Sequence, residues 1–139
     1  MKIEITNQQK IKKVNSQELK KYVRKTLNLL GASGSVSILL CDNSFMKKLN
    51  KKFFVKNHTT DVISFPLGDV CTPYYLGEVV VSVQEAVRLS KKYGNSWKEE
   101  LLLYVIHGIL HLVGYDDCTK IKKKVMERKQ QQLLKLLTS

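Results

Sequence analysis

The stretch His107-Gly108-Ile109-Leu110-His111-Leu112-Val113-Gly114-Tyr115-Asp116-Asp117 gathers the side chains best suited to chemistry in this chain of 139 residues. Two histidines four residues apart stand on one face of a helix, about 5–6 Å from each other at Cβ. That spacing suits two ligands of one metal ion. A third ligand must come from elsewhere. Gly114 lets the chain reverse, so Asp116 or Asp117 can return over the last helical turn. A pair of histidines on a helix is a weak signal alone. Here the pair interrupts a strongly apolar segment, where neutral imidazoles need hydrogen-bond partners or a metal. The Gly-Tyr-Asp-Asp turn strengthens the metal reading.

The residue types narrow the chemistry. Metalloproteases of the HExxH type carry a general-base glutamate directly after the first histidine. That position here is Gly108, which counts against a protease. A carboxylate beside two histidines also occurs in non-haem iron oxygenases, but nothing else suggests a 2-oxoacid or O₂ site. A metal-assisted phosphodiester hydrolase fits best, with an ion that polarises a phosphoryl oxygen or activates water. Its fourth position is left for water or a phosphate oxygen. No side chain stands out as a general base.

The charge supports a polyanionic partner. Lys and Arg number 24 against 12 Asp and Glu, a formal net charge of +12. Three segments, Lys10 to Lys25, Lys47 to Lys56 and Lys120 to Lys135, hold 19 of the 24 positive charges. Residues 61–117 hold eight of the 12 acids. Each basic block alone reads as the solvated face of an amphipathic helix. Three together read as a nucleic-acid footprint. No apolar stretch reaches the ~18 residues of a membrane span, and residues 1–5 have no signal-peptide core. Cys41, Cys71 and Cys118 are an odd number at irregular spacing, so neither a disulfide framework nor a CxxC zinc module fits. The cytoplasm is the expected compartment.

The elements that must position the site follow from periodicity. Residues 2–6 and Val36 to Cys41 read as strands, as do Asp61 to Phe65 and Glu78 to Ser82. Ser16 caps a helix that ends at Gly31, and Asp42 or Asn43 caps a second through about Lys52. Residues 66–76 form a loop. Further helices cover roughly 83–93, a segment opened by Ser96 that is apolar nearly all round from Leu101 to Val113 and hence buried, and about 119–137. The last is expected to turn Ile121, Val125, Leu133, Leu136 and Leu137 inward. Tyr93, Trp97 and Tyr104 read as core. The expectation is one α+β domain over residues 1–139, with a small mixed sheet of about four strands, about five helices, and a metal site at the end of a buried helix.

The run His107-Gly-Ile-Leu-His111-Leu-Val-Gly-Tyr-Asp116 resembles the signature of the YbeY family, bacterial endoribonucleases of ribosomal RNA maturation. Leu49-Asn50 with Thr60-Asp61-Val62-Ile63-Ser64-Phe65-Pro66 is similar to that family's central motif, and Leu76-Gly77-Glu78-Val79-Val80-Val81 to its next strand. Order, spacing and length agree over nearly the whole chain. The resemblance implies one divalent metal ion, usually zinc. It also implies single-strand-directed cleavage in maturing the 3′ end of small-subunit ribosomal RNA, and ribosome quality control. Implied partners are ribosomal RNA and ribosomal particles, extending to small-subunit ribosomal proteins and assembly GTPases, with no membrane.

Three departures stand out. The family signature ends in a third histidine ligand, and that position here is Asp117, with Asp116 as the competing carboxylate. Aspartate binds zinc at about 2.0–2.2 Å, so a site of His107, His111 and Asp117 is feasible but harder and more anionic. Phe54 stands where the family usually has arginine, and Lys51, Lys52, Lys56 and His58 are the candidates to meet substrate phosphate instead. Thr59 stands where the family usually has proline. Asp61 is expected to order its turn, Ser64 to be filler on a strand face, and Cys118 is a further soft donor beside Asp117. The rival reading is a ribosome-binding assembly factor with weak or lost nuclease activity.

Overall fold

The computed structural model describes residues 2–54, 62–66 and 74–139. Four strands form one mixed sheet in the order β1-β2-β4-β3. They are β1 (Ile3–Asn7), β2 (Ser35–Cys41), β3 (Val62–Phe65) and β4 (Tyr75–Ser82). β1 and β4 both run parallel to β2, and β3 pairs antiparallel to β4 with Ile63 opposite Val80. β4 begins earlier than its valine run suggests, because Tyr75 already pairs with Ser35. The central strands read Val-Ser-Ile-Leu-Leu and Val-Val-Val, the near-continuous apolar runs of strands covered on both faces.

Among the described residues five helices accompany the sheet, α1 (Ser16–Leu29), α2 (Asn43–Phe54), α3 (Val83–Tyr93), α4 (Trp97–Leu112) and α5 (Lys120–Thr138), the last packing against α4 and α1. Asn15 rather than Ser16 caps α1, its Oδ1 accepting from the backbone N–H of Gln17 and Glu18. Ser96 and Thr119 cap α4 and α5 in the same way. One face of the sheet meets α1, α3 and α4 through a core that includes Val23, Leu27, Ile38, Val79, Ala86 and Val105. The other face meets α2 through Met46, Ile63 and Val80. No helix among the described residues is long and apolar enough to cross a membrane.

Helix α4 is the axis of the molecule. Leu101, Val105 and Ile109 face the sheet-side core, while Leu102, Ile106 and Leu110 pack under α5. That double burial explains its apolar circumference. α5 docks with Met126, Leu133 and Leu137 inward. The inward set expected from sequence therefore needs correction. Ile121, Val125 and Leu136 are exposed, Ile121 by 77%. Both rows have helical spacing, and the one that docks is the one that matches the Leu102-Ile106-Leu110 row. Tyr104 is core as expected and Trp97 half-buried, but Tyr93, in the last turn of α3, is exposed.

Candidate metal centre

The row of α4 that carries Leu103, His107 and His111 faces neither the sheet core nor the α5 core, and all three are half-buried. This row reaches solvent beside the start of α5. Its height over the sheet is set by Gly108. A Cβ built there would lie 2.3 Å from Val79 Cγ1 and 3.1 Å from Ser64 Oγ, so only glycine lets α4 approach β4 this closely. Ser64 Oγ–H donates to the Gly108 carbonyl at 2.9 Å, which gives this strand serine a structural bond beneath the histidines.

The end of α4 is a Schellman turn. The N–H of Tyr115 donates to the Leu110 carbonyl at 2.9 Å, and that of Gly114 to the His111 carbonyl at 3.2 Å. Gly114 adopts φ +106°, a conformation that L side chains rarely take. Tyr115 packs against the cluster that contains Leu110, which pins the turn. The chain is thereby thrown back along the helix, and the two aspartates take different tasks. Asp116 accepts from the Cys118 N–H at 3.1 Å and pairs with Lys122 at 3.5 Å. The Cys118 bond first, then the Lys122 charge, holds its carboxyl below the ordinary carboxylate value despite some desolvation. Asp117 is left to face the histidines. Among the described residues, one donor atom each from His107, His111 and Asp117 lie within 4.8 Å of one another. Cys118 is exposed and stands outside this group.

The imidazoles are aligned by their surroundings. His107 Nδ1 lies 2.8 Å from Gln130 Oε1. A carboxamide oxygen can only accept, so Nδ1 carries the proton and Nε2 presents its lone pair. That lone pair faces His111 Nε2 at 3.1 Å, with the rings edge-to-face at a centroid separation of 4.7 Å. Burial, then the neighbouring His107, lowers the His111 pKa below its ordinary value, outweighing Asp117, the Tyr115 backbone and Asp116. The neutral, metal-binding form is therefore favoured at His111. Two nitrogen ligands of a tetrahedral zinc ion stand about 3.4 Å apart, given bonds of about 2.0–2.1 Å. The observed 3.1 Å Nε2 separation, with a carboxylate alongside, fits a divalent cation in its donor types and its spacing.

Gln130 escaped the sequence reading. The signal was present but faint: positions 126, 130, 133 and 137 share one row of α5, and the second of them is polar in an otherwise apolar stripe. Lys51 and Lys52 lie exposed in the last turn of α2. Lys56, His58, Thr59 and Asp61 lie outside the described residues, and Phe54 is the last residue of α2. Lys120, Lys122, Lys123 and Lys124 form an exposed basic turn at the start of α5, next to Asp116 and Asp117.

A family model described as Endoribonuclease YbeY matches residues 4–138. The endoribonuclease YbeY of Carboxydothermus hydrogenoformans is 39% identical over 112 residues, 81% of this chain and 78% of the relative. That of Petrotoga mobilis is 34% identical over 141 aligned positions, 99% of this chain and 96% of the relative. The solution structure of a Thermotoga maritima protein superposes with a TM-score of 0.71 at 29% identity, over 97% of this chain and 88% of that one.

Proposed function

The chain belongs to the endoribonuclease YbeY family, and from that footing we propose that it is a divalent-metal-dependent endoribonuclease that cuts single-stranded segments of ribosomal RNA. The observation that carries this reading is the convergence of His107 Nε2, His111 Nε2 and a donor of Asp117 on one point of a basic surface. The resemblance noted in the sequence further suggests the 3′ end of small-subunit RNA as substrate. It also suggests ribosomal particles, with small-subunit proteins and an assembly GTPase, as partners and the cytoplasm as compartment.

His107 and His111 would hold the ion through Nε2, and Asp117 through its carboxylate. Zinc is the ion expected from the donor set. When bound, the ion supplies positive charge that polarises a phosphoryl oxygen and acidifies water. The protein does the rest by placement. Gln130 would keep the proton on His107 Nδ1, which leaves Nε2 to face the site. The lysines at the start of α5 and those at the end of α2, with Lys56 and His58 as candidates outside the described residues, would neutralise the RNA backbone and steer it to the site. Binding should therefore weaken steeply with added salt.

Cleavage of a structured RNA by wild type and by His111→Ala, each prepared without added metal and then loaded with zinc or manganese, tests the proposal. Wild type should take up one ion per chain and cut, and the variant should bind the ion much more weakly and not cut. Equal cleavage by both would sink it. Two observations favour a second reading, an assembly factor with little nuclease activity: Asp117 and Phe54 replace the family's usual histidine and arginine. That reading predicts salt-sensitive binding to ribosomal particles by wild type and His111→Ala alike, with no cleavage by either.

A further inference from the structure

A cavity of about 270 Å³ opens where the first turns of α1 and α4 meet the end of α5. It lies on the seam between the two apolar cores. Leu19 and Leu101 on its wall belong to the core on the sheet, and Leu102 to the core under α5. Tyr22 and Trp97 provide aromatic surface. Trp97 is the chain's only tryptophan, and its ring is met by two ammonium groups, Lys12 Nζ and Lys98 Nζ, each 5.9 Å from the centroid. Lys13, Glu18 and Glu99 complete the charged rim.

We propose that this cavity receives one unpaired base of the RNA strand, away from the metal centre. The inference rests on RNA being the substrate. Sites for single-stranded nucleic acid combine an aromatic platform for the base with cations for the flanking phosphates, and both are present here. A free phosphate has no use for leucine and tryptophan walls. An apolar peptide side chain has no use for lysines ranged over the indole. The carboxylates of Glu18 and Glu99 can only accept hydrogen bonds. They suit the amino group of adenine, which also offers the indole a larger stacking face than uracil, whose one base donor is N3–H. Trp97 and His107 are ten residues apart on one helix, about 15 Å along its axis. A strand seated at Trp97 can therefore reach His107 within the ~4–16 nucleotides that such sites cover. Lys12, Lys13 and Lys98 stand at the cavity itself, where they can meet the phosphates that flank the seated base.

The single tryptophan makes the test direct. Trp97 emission, excited at the red edge where tyrosine does not absorb, is titrated with hexamers of adenylate and of uridylate in EDTA, so that nothing is cut. The adenylate hexamer should quench it saturably and at lower concentration than the uridylate one. By fluorescence anisotropy of a labelled adenylate hexamer, Trp97→Ala should bind about tenfold more weakly and Trp97→Phe should recover most of the loss. His111→Ala should leave the quenching unchanged, so a failure of the nuclease reading shows in cleavage alone and a failure of the base pocket in fluorescence alone. Unquenched emission at saturating RNA overturns the proposal. So does a Trp97→Ala protein that melts like wild type and binds the hexamer equally well.

Discussion

The two histidines and the carboxylate of the metal centre sit on opposite kinds of backbone. His107 and His111 project from the last turns of a helix pressed between the sheet and α5, and one of them is latched by Gln130. Asp117 is exposed, three residues past a left-handed glycine. The helical half of the site is held by packing, which resists displacement because interiors are close-packed. The loop half is held by the two backbone hydrogen bonds of the turn, the seat of Tyr115 and the bonds of Asp116 to the Cys118 N–H and Lys122. On this contrast, the helix would fix the geometry of a bound ion and the loop would adjust to it. A ligand exchange should therefore be tolerated better at Asp117 than at His107 or His111.

Removing a ligand from each half tests this contrast most severely. His111→Ala should weaken zinc binding on the order of a hundredfold or more, given the ~10–16 kcal/mol that a complete site supplies. Asp117→Ala should lose less. Zinc competition with a chromophoric chelator gives both numbers, and equal losses would break the distinction. Next comes the latch. Gln130→Ala should cost about 10–100-fold in metal affinity with little change in the melting of the metal-free protein, and Gln130→Glu should recover most of the affinity. An unaffected affinity in Gln130→Ala would remove the residue from the site.

Gly108→Ala probes the packing beneath the histidines. Its Cβ would press on Val79, an overpacking that costs about 1–3 kcal/mol and lowers the melting temperature by roughly 5–15 °C. A wild-type melting curve would mean that α4 rides free of the sheet. Asp117→His sharpens the loop side: zinc binding should hold or strengthen, and weaker binding would show that the loop too is rigid.

The smallest effect is in pH. Desolvation, reinforced by His107, keeps the His111 pKa below 6.5 in the folded protein. The unfolded chain then takes up that proton more readily than the folded one. The contribution of this group to stability is complete above about pH 6.5 and is lost as pH falls from there toward the depressed value. Melting of the metal-free protein from pH 8 to 5 should therefore decline more for wild type than for His111→Gln. Parallel curves would count against a desolvated imidazole.

Local signals carried much of this protein. The i, i+4 histidines, the apolar circumference of α4 and the glycine that ends it are readable because helical periodicity and left-handed turns depend on neighbours in sequence. The valine run of β4 and the Ser96 start of α4 are of the same kind. Three matters were decided only by the folded chain. α5 carries two apolar rows of equal helical spacing, and the Leu102-Ile106-Leu110 ridge of α4 selects the one through Met126, Leu133 and Leu137. Two adjacent aspartates are indistinguishable in sequence until Cys118 and Lys122 engage Asp116 and leave Asp117 for the histidines. Gln130, one of three consecutive glutamines, gains meaning only because its row faces His107 across a helix pair. Sequence determined which groups can do chemistry, since donor type and helical spacing are properties of neighbouring residues. Tertiary structure decided which of them meet, since contact between residues 107, 117 and 130 depends on how separate helices pack.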